Sequence, residues 1–456
     1  MNIIFRHVRL PGRSVSVWGP AAGAMLLVAL LLAAPSQAAE KLRINIFGPG
    51  QTGLNLFFAP SRPIDGQARQ MDDPSFARHM RGFLEKNLGY LPFIDPVPES
   101  DVLGGPDVQG LQGNRIEFKR FRMSQVDVLL TLGWKNDSRA LGKVEIRAFD
   151  VFSGQLIAGR GYRLTSVDQI DEAANRFCAD LMDELTGKSG FFRSQLAFVH
   201  KEGGVKEIAT CKPQGYNVRR ITTYNDVCLS PAWSWDGTRL AFTHVSETRH
   251  ELGLWDRKQG RLRSILLPGN TLISPTFDPR SGLVISADPQ GNPDIYTLNE
   301  DYELSRPIIE NWGIDISPHF DQSGQKMVFV SSRLGNPHIF LKDMDTGKVR
   351  RITFEGTYNT NPSISPDGRF VAFSRMLEAG HRIFVHDLET GRERQVSFGP
   401  GNDEDPAWGP DSYFLAFSSN RSETYKLYLS TRHAHEAKQI STGPGAATSP
   451  AWNPAD

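Results

Sequence analysis

One phrase returns six times in this 456-residue chain. A small polar residue and a proline are followed, two positions after the proline, by an aromatic or aliphatic side chain. The pairs are Pro231/Trp233, Pro275/Phe277, Pro318/Phe320, Pro362/Ile364, Pro406/Trp408 and Pro450/Trp452. Successive prolines stand 43 or 44 residues apart, and nine residues after most of them comes an apolar triplet such as Leu240-Ala241-Phe242 or Leu415-Ala416-Phe417. A repeat held in the low forties is the signature of propeller blades with four strands each.

The register has two defects. Leu196-Ala197-Phe198 is a triplet with no Pro-x-aromatic before it, and Ser449-Pro450-Ala451-Trp452 has no triplet after it. Each supplies what the other lacks, so the final strand is expected to complete the first blade. That closes six blades into a ring without open sheet edges. Proline lacks an N–H and is expected at the first residue of each inner strand. The aromatics, Trp233, Trp408 and Trp452 among them, read as core between blades. Asp236-Gly237 and Asp367-Gly368 supply inner turns, and Asp345-Thr346-Gly347 and Glu389-Thr390-Gly391 supply outer ones.

Upstream of residue 190 the repeat is absent. Arg6, Arg9 and Arg13 precede an apolar run, Ala21 to Ala34, and Ser36-Gln37-Ala38 offers a cleavage site. Residues 1–38 read as an export signal, the run being too short to span a bilayer easily. Residues 39–189 read as an α/β domain. Lys41 to Phe47 alternates like a strand. Asp73-Pro74 opens a helix with Pro74 at its first helical position, and Phe76, Met80, Phe83, Leu84 and Leu88 share one face. Val126 to Leu132 is a strand, and Lys143 to Phe152 and Gln155 to Leu164 form a hairpin about Ser153-Gly154. Asp168 to Leu185 is a second amphipathic helix, ended by Gly187. Residues 190–456 are then the propeller, and the fold class is an α/β N-terminal domain followed by an all-β six-bladed propeller closed by the C-terminal strand.

Charge is balanced at 51 basic against 51 acidic residues, and losing the leader arginines leaves a slight acidic excess. That gives no net attraction to phosphate, so nucleic acid is not expected as a partner. No later stretch reads as a membrane span, and a monomer outside the cytoplasmic membrane is expected. Of three cysteines, Cys178 lies at helical spacing among Phe177, Leu181 and Leu185 and reads as a buried thiol. Cys211 and Cys228 flank an outer hairpin of the first blade, where an oxidising compartment would permit a disulfide.

Catalytic patterns are missing. Gly187-Lys188-Ser189 lacks the phosphate-loop glycine, since Met182 occupies its position. No Gly-x-Ser-x-Gly elbow occurs. His433-x-His435 has only Glu436 nearby and reads as a solvated loop, and Asp343 and Asp345 belong to a turn without calcium-loop spacing. No catalytic, metal or cofactor residues are assigned.

The leader, the α/β domain, the closed propeller and the junction from Leu185-Thr186-Gly187 through Gly190-Phe191-Phe192-Arg193 to Leu196-Ala197-Phe198 together resemble the TolB family of the periplasmic Tol-Pal system. The resemblance spans essentially the whole mature chain. It implies a non-enzymatic scaffold that binds the lipoprotein Pal on the propeller face and TolA through its extreme N-terminal segment. Such scaffolds support outer-membrane integrity and constriction at division. Here that segment is Ala39 to about Phe47, with Glu40, Lys41, Leu42, Arg43 and Ile44 as its contact residues.

The residues themselves narrow the face. Loops entering the inner strands contain Asn225, Asp226, Asn270, Thr271, Trp312, Asp315, Tyr358, Asn359, Thr360, Asn402, Asp403 and Glu404. Trp312 and Tyr358 are aromatics without a core duty, as interface anchors are. Two other classes stay open: a periplasmic enzyme acting on cell-wall glycan or peptide through Asp315, His319 and Asp405, and a glycan-binding module stacking sugars on the same aromatics.

Overall fold

The computed structural model describes residue 42, residues 53–65 and residues 72–454. The leader reading (1–38), most of the expected strand from Lys41 to Phe47, and Glu40, Lys41, Arg43 and Ile44 lie outside the described residues. Leu42 is half-buried and packs on the core. Leu42–Asp456 forms one unit.

The first half is a mixed sheet. Its strands are β1 (Leu54–Phe58), β2 (Arg62–Pro63), β3 (Ile94–Pro96), β4 (Val128–Lys135), β5 (Gly142–Asp150) and β6 (Leu156–Leu164). They run in the order β3-β1-β4-β5-β6, with β2 also beside β4. β1 is parallel to β3 and β4, while β5 and β6 are antiparallel. Side chains alternate across a pleat, so Val128, Leu130 and Leu132 enter one core and Leu129 enters another with Phe57 and Phe121. Helices α1 (Ser75–Gly89) and α3 (Asp168–Thr186) cover the first core; the short α2 (Phe118–Met123) covers the second. Phe76, Met80, Leu84 and Leu88 of α1 are buried, and so are Ile170, Ala174, Phe177, Leu181 and Leu185 of α3. The helix start differs from expectation: Pro74 is extended and precedes α1 as its cap, one position before the first helical residue. Gly187 ends α3 at φ +72°, its N–H on the Asp183 carbonyl.

After the turn α4 (Gly190–Arg193) the chain is all strand. β7 (Leu196–Glu202), β8 (Val205–Cys211), β9 (Arg219–Arg220), β10 (Val227–Trp233), β11 (Arg239–Val245), β12 (His250–Asp256) and β13 (Arg261–Ile265) belong to an eight-stranded sheet. Four four-stranded sheets follow. They are β14–β17 (Leu272–Asp278, Gly282–Ala287, Asp294–Leu298, Leu304–Ile309), β18–β21 (Asp315–Phe320, Lys326–Ser331, His338–Asp343, Val349–Arg351), β22–β25 (Asn359–Ile364, Phe370–Leu377, Gly380–Asp387, Glu393–Gln395) and β26–β29 (Asp403–Trp408, Phe414–Ser419, Lys426–Thr431, Lys438–Ile440). The last strand, β30 (Ala446–Trp452), pairs antiparallel with β7, Thr448 opposite Val199.

The repeated prolines lie inside strands, not at their first residues. In each of β10, β14, β18, β22, β26 and β30 the residue before the proline has φ between +50° and +57°, and the ladder shifts register there. A bulge leaves one N–H out of the ladder, which is the position where a residue without an N–H costs nothing. Ser230, Ser274, Ser317, Asn361, Asp405 and Ser449 occupy the left-handed position, which short polar side chains tolerate better than branched ones. The indoles act as core: Trp408 Nε1 donates to the Ser363 carbonyl and Trp452 Nε1 to the Ala407 carbonyl, each at 3.0 Å and each reaching the neighbouring sheet.

The first half and the propeller share a core. Phe191 packs on Phe414 with ring centroids 4.4 Å apart, and Phe93 meets Tyr413 edge-on. Asp411 accepts the N–H groups of Gly190 and Phe191, both at 3.0 Å. Lys438 Nζ donates to the carbonyls of Gly89 and Tyr90. The expected link between Cys211 and Cys228 does not form; both thiols are free and buried. Cys228 Sγ instead contacts Glu207, four residues back along β8 from Cys211, and Cys211 packs with Leu196 and Phe198 in the shared core. Cys178 is also free and buried, and burial pushes its pKa up.

Candidate interaction face

Strand register defines two ends of every sheet. In β18–β21, Asp315 lies opposite Ser331 and Ser331 opposite His338, so the entry loop and the turn between second and third strands share one end. Phe320 and Asp343 mark the other end, where in β26–β29 the α/β half docks on Asp411, Tyr413 and Lys438. The entry loops are therefore on the face that the α/β half leaves open.

The structure divides the twelve expected contact residues. Trp312 is 77 % exposed and Tyr358 is 40 % exposed, its ring edge-on to His381. Asn270 is exposed, and its N–H and that of Thr271 donate to Asp288. Asn225 stands at φ +58° with its N–H on buried Glu207, and Asp226 lies beside His244. Thr360, Asn402 and Glu404 are half-buried; Glu404 accepts from the Tyr425 hydroxyl. Asp315, Asn359 and Asp403, by contrast, are fully buried. Arg333 Nη2 bonds both Asp315 oxygens at 3.1 and 3.2 Å, Arg421 bonds Asp403 at 2.8 Å, and Arg375 Nε bonds Asn359 at 2.8 Å. Each of these guanidiniums also lies over two aromatic rings of its own sheet. A carboxylate so enclosed serves the blade and not a visitor. Burial raises the Asp315 pKa, against the pull of its hydrogen bonds and Arg333.

Sequence reasoning missed the companions of Trp312 and Tyr358. Leu266, Ile314, Leu334, Phe354 and Phe398 are exposed in loops at this same end, and Met376 and Leu377 are exposed at the end of β23 beside them. The signal existed: Phe354 and Phe398 occupy the same place in successive repeats, just after a final strand.

Below the bulges a cavity of about 490 Å³ runs along the axis. Asn361 and Ser449 bond Asp405 there at 2.6 and 3.1 Å, and the Gly187–Gly190 segment lines the end nearest the α/β half. None of the twelve expected contact residues lines it. His319 does; its Nδ1 accepts the Ile364 N–H, and burial lowers its pKa to about 4. Asp315, His319 and Asp405 each have separate partners, and no hydrogen bond or ion pair joins them among the described residues. His433 and His435 are half-buried and not solvated as expected. His433 packs against Tyr413, and burial lowers its pKa to about 4. Among the described residues no group of three or more His, Cys, Asp or Glu could hold a metal ion, and no helix is long and apolar enough to cross a membrane.

Sheets of four strands set about an axis, one loop face open and the other occupied by an α/β half, define a β-propeller built to present loops. Comparison with known proteins narrows the class. The family model described as the TolB beta propeller domain matches residues 182–456. The Tol-Pal system protein TolB of Nitratidesulfovibrio vulgaris is 42 % identical over 316 residues, covering 68 % of this chain and 70 % of that one. Its namesake in Desulfosudis oleivorans is 34 % identical over 231 residues, covering 50 % and 52 %. The crystal structure of TolB from Acinetobacter baumannii covers 91 % of this chain at TM-score 0.75 and 19 % identity, which is a likeness of fold. The chain belongs to the TolB propeller family.

Proposed function

We propose that this chain is a non-catalytic, monomeric scaffold of the Tol-Pal envelope system, working in the periplasm after removal of residues 1–38. Its propeller face docks Pal, its N-terminal segment about Glu40 to Ile44 contacts TolA, and the assembly supports outer-membrane integrity and constriction at division. Residues 39–189 act as the α/β domain and 190–456 as the propeller. The eight-stranded sheet counts as two blades joined at the single pair Val227–Lys206, which brings the total to six. Neighbour contacts support that count: they pass from β10 through β14, β18, β22 and β26 to β30 and return to β10. The pairing of β30 with β7 then closes the ring.

One observation carries the reading: the loop face opposite the α/β half is open and presents Trp312 and Tyr358 to solvent. Aromatics in such loops serve as anchors for a protein partner. Titration calorimetry of the mature protein against the soluble domain of Pal from the same cell tests it. Saturable one-to-one binding, weakened by Trp312→Ala and Tyr358→Ala, is expected. No binding at high micromolar concentration overturns it.

A further inference from the structure

The exposed apolar side chains of the propeller are not spread around its axis. Among the described residues, nine of its ten exposed large apolar side chains are on the entry-loop face, Val218 being the exception. They fall between Leu266 and Phe398, on one side of the ring. Turns elsewhere on that face, at residues 203–204, 246–249 and 443–445, hold none.

The loops carrying them are tied into one surface. The Ser332 N–H donates to the Ile314 carbonyl, the Asn359 N–H to the Pro337 carbonyl and the Met376 N–H to the Tyr358 carbonyl. The His381 N–H donates to Asn402 Oδ1, which joins the Met376 turn to the loop of Phe398. Trp312, Leu334, Phe354, Met376 and Phe398 are 52–77 % exposed along this arc. Turns have no conformational need for such residues; Gly, Asn, Asp and Pro are what turns require. A contiguous apolar surface of this kind marks a contact site.

The fully exposed charges in the loops of the arc are acidic. Glu310, Glu355 and Glu378 are exposed. Arg333 is held on Asp315, Arg375 on Glu393 and Asn359, and Arg382 on the carbonyls of Gly399 and Gly401, while half-buried Arg351 lies over Phe354 and bonds the Thr353 carbonyl. Acidic groups around an apolar centre complement a basic rim around an apolar centre.

We propose that the protein partner seats off the propeller axis, on the arc from Trp312 to Phe398, through apolar side chains ringed by lysine or arginine. This rests on the scaffold reading above. It adds which half of the face is used and what chemistry the partner must present.

The test is calorimetry of the full mature chain against the soluble Pal domain. One variant combines Trp312→Ser, Leu334→Ser and Phe398→Ser; a second combines Glu310→Lys, Glu355→Lys and Glu378→Lys. A control on the other half combines Glu202→Lys and Glu247→Lys. All these side chains are exposed, and circular dichroism checks that each variant folds. The apolar variant should weaken binding by about tenfold or more, as loss of anchors does. The charge variant should weaken it by about tenfold and flatten its dependence on NaCl between about 0.1 M and about 1 M, over which screening shortens from roughly 10 Å to roughly 3 Å. The control should stay within about threefold. Equal losses on both halves, or loss only in the control, overturn the off-axis arc while leaving the scaffold reading intact. A salt response that the charge variant leaves unchanged overturns the basic rim. Absence of binding by the unmodified chain overturns both readings together.

Discussion

Asp294 opens β16 at 6 % exposure, and its Oδ1 accepts the Asn311 N–H at 3.3 Å. Burial, with Asp315 and Glu310 adding repulsion, raises its pKa from 3.8 to about 6. The folded protein therefore holds a proton there that the unfolded chain releases between those values. Stability from this group is present in full below about pH 4 and is lost as pH rises through about 6. Asp294→Asn should flatten the pH dependence of the urea midpoint between pH 4 and 6 without lowering the midpoint at pH 7; an unchanged slope would assign that dependence elsewhere. Asp411 is a different case, because its two N–H donors belong to the joint with the α/β half. Asp411→Ala leaves both donors buried without an acceptor, and a loss of about 2–4 kcal/mol in chemical denaturation is expected.

At the scale of elements, each blade from β18 onward is braced by a polar first-strand residue and an arginine of the following hairpin. Asp315–Arg333 and Asp403–Arg421 keep a separation of 18 residues, and Asn359–Arg375 keeps 16. Arg421→Met should cost about 3–5 kcal/mol, since it strands the fully buried Asp403 carboxylate. Adding Asp403→Asn should recover part of that loss. The recurring spacing was open to reading in the sequence, but it does not say which way a carboxylate points. Asp315 and Asp403 therefore passed for surface groups beside Trp312. The prolines misled for a related reason: a missing N–H suits a strand's first residue and a mid-strand bulge equally, and only the shifted ladder separates them. The outermost strands, β9, β13, β17 and β21, carry Arg219, Arg220, Arg261, Arg263, Arg306, Arg350 and Arg351. Charge on an edge strand discourages pairing with another chain. Arg219→Ile with Arg220→Ile should raise concentration-dependent light scattering while leaving the melting temperature of dilute protein nearly unchanged.

For the whole molecule the decisive feature is the core shared between halves. Phe177, Phe191, Phe198, Tyr413 and Phe414 belong to one buried cluster. Scanning calorimetry should therefore give one main transition, and a well-separated pair of transitions would show that the joint contributes little. The architecture was legible because a 43- or 44-residue period leaves few alternatives. Of the exposed apolar side chains on the open face, only Trp312 and Tyr358 were legible, because their type stands out in a loop. Leu334 and Met376 look like ordinary core residues until the strands on either side are placed.

The pairing of β30 with β7 also bears on how the molecule comes into being. β7 emerges with its triplet ready to be covered, yet the strand that covers it is made roughly 250 residues later. Throughout that interval its ladder edge stays unsatisfied, an invitation to chaperones and to strands of other molecules alike. Proteolytic resistance of the propeller should arrive late and all at once, when synthesis reaches β30, because until then no intermediate length of chain has both sides of the propeller's first sheet.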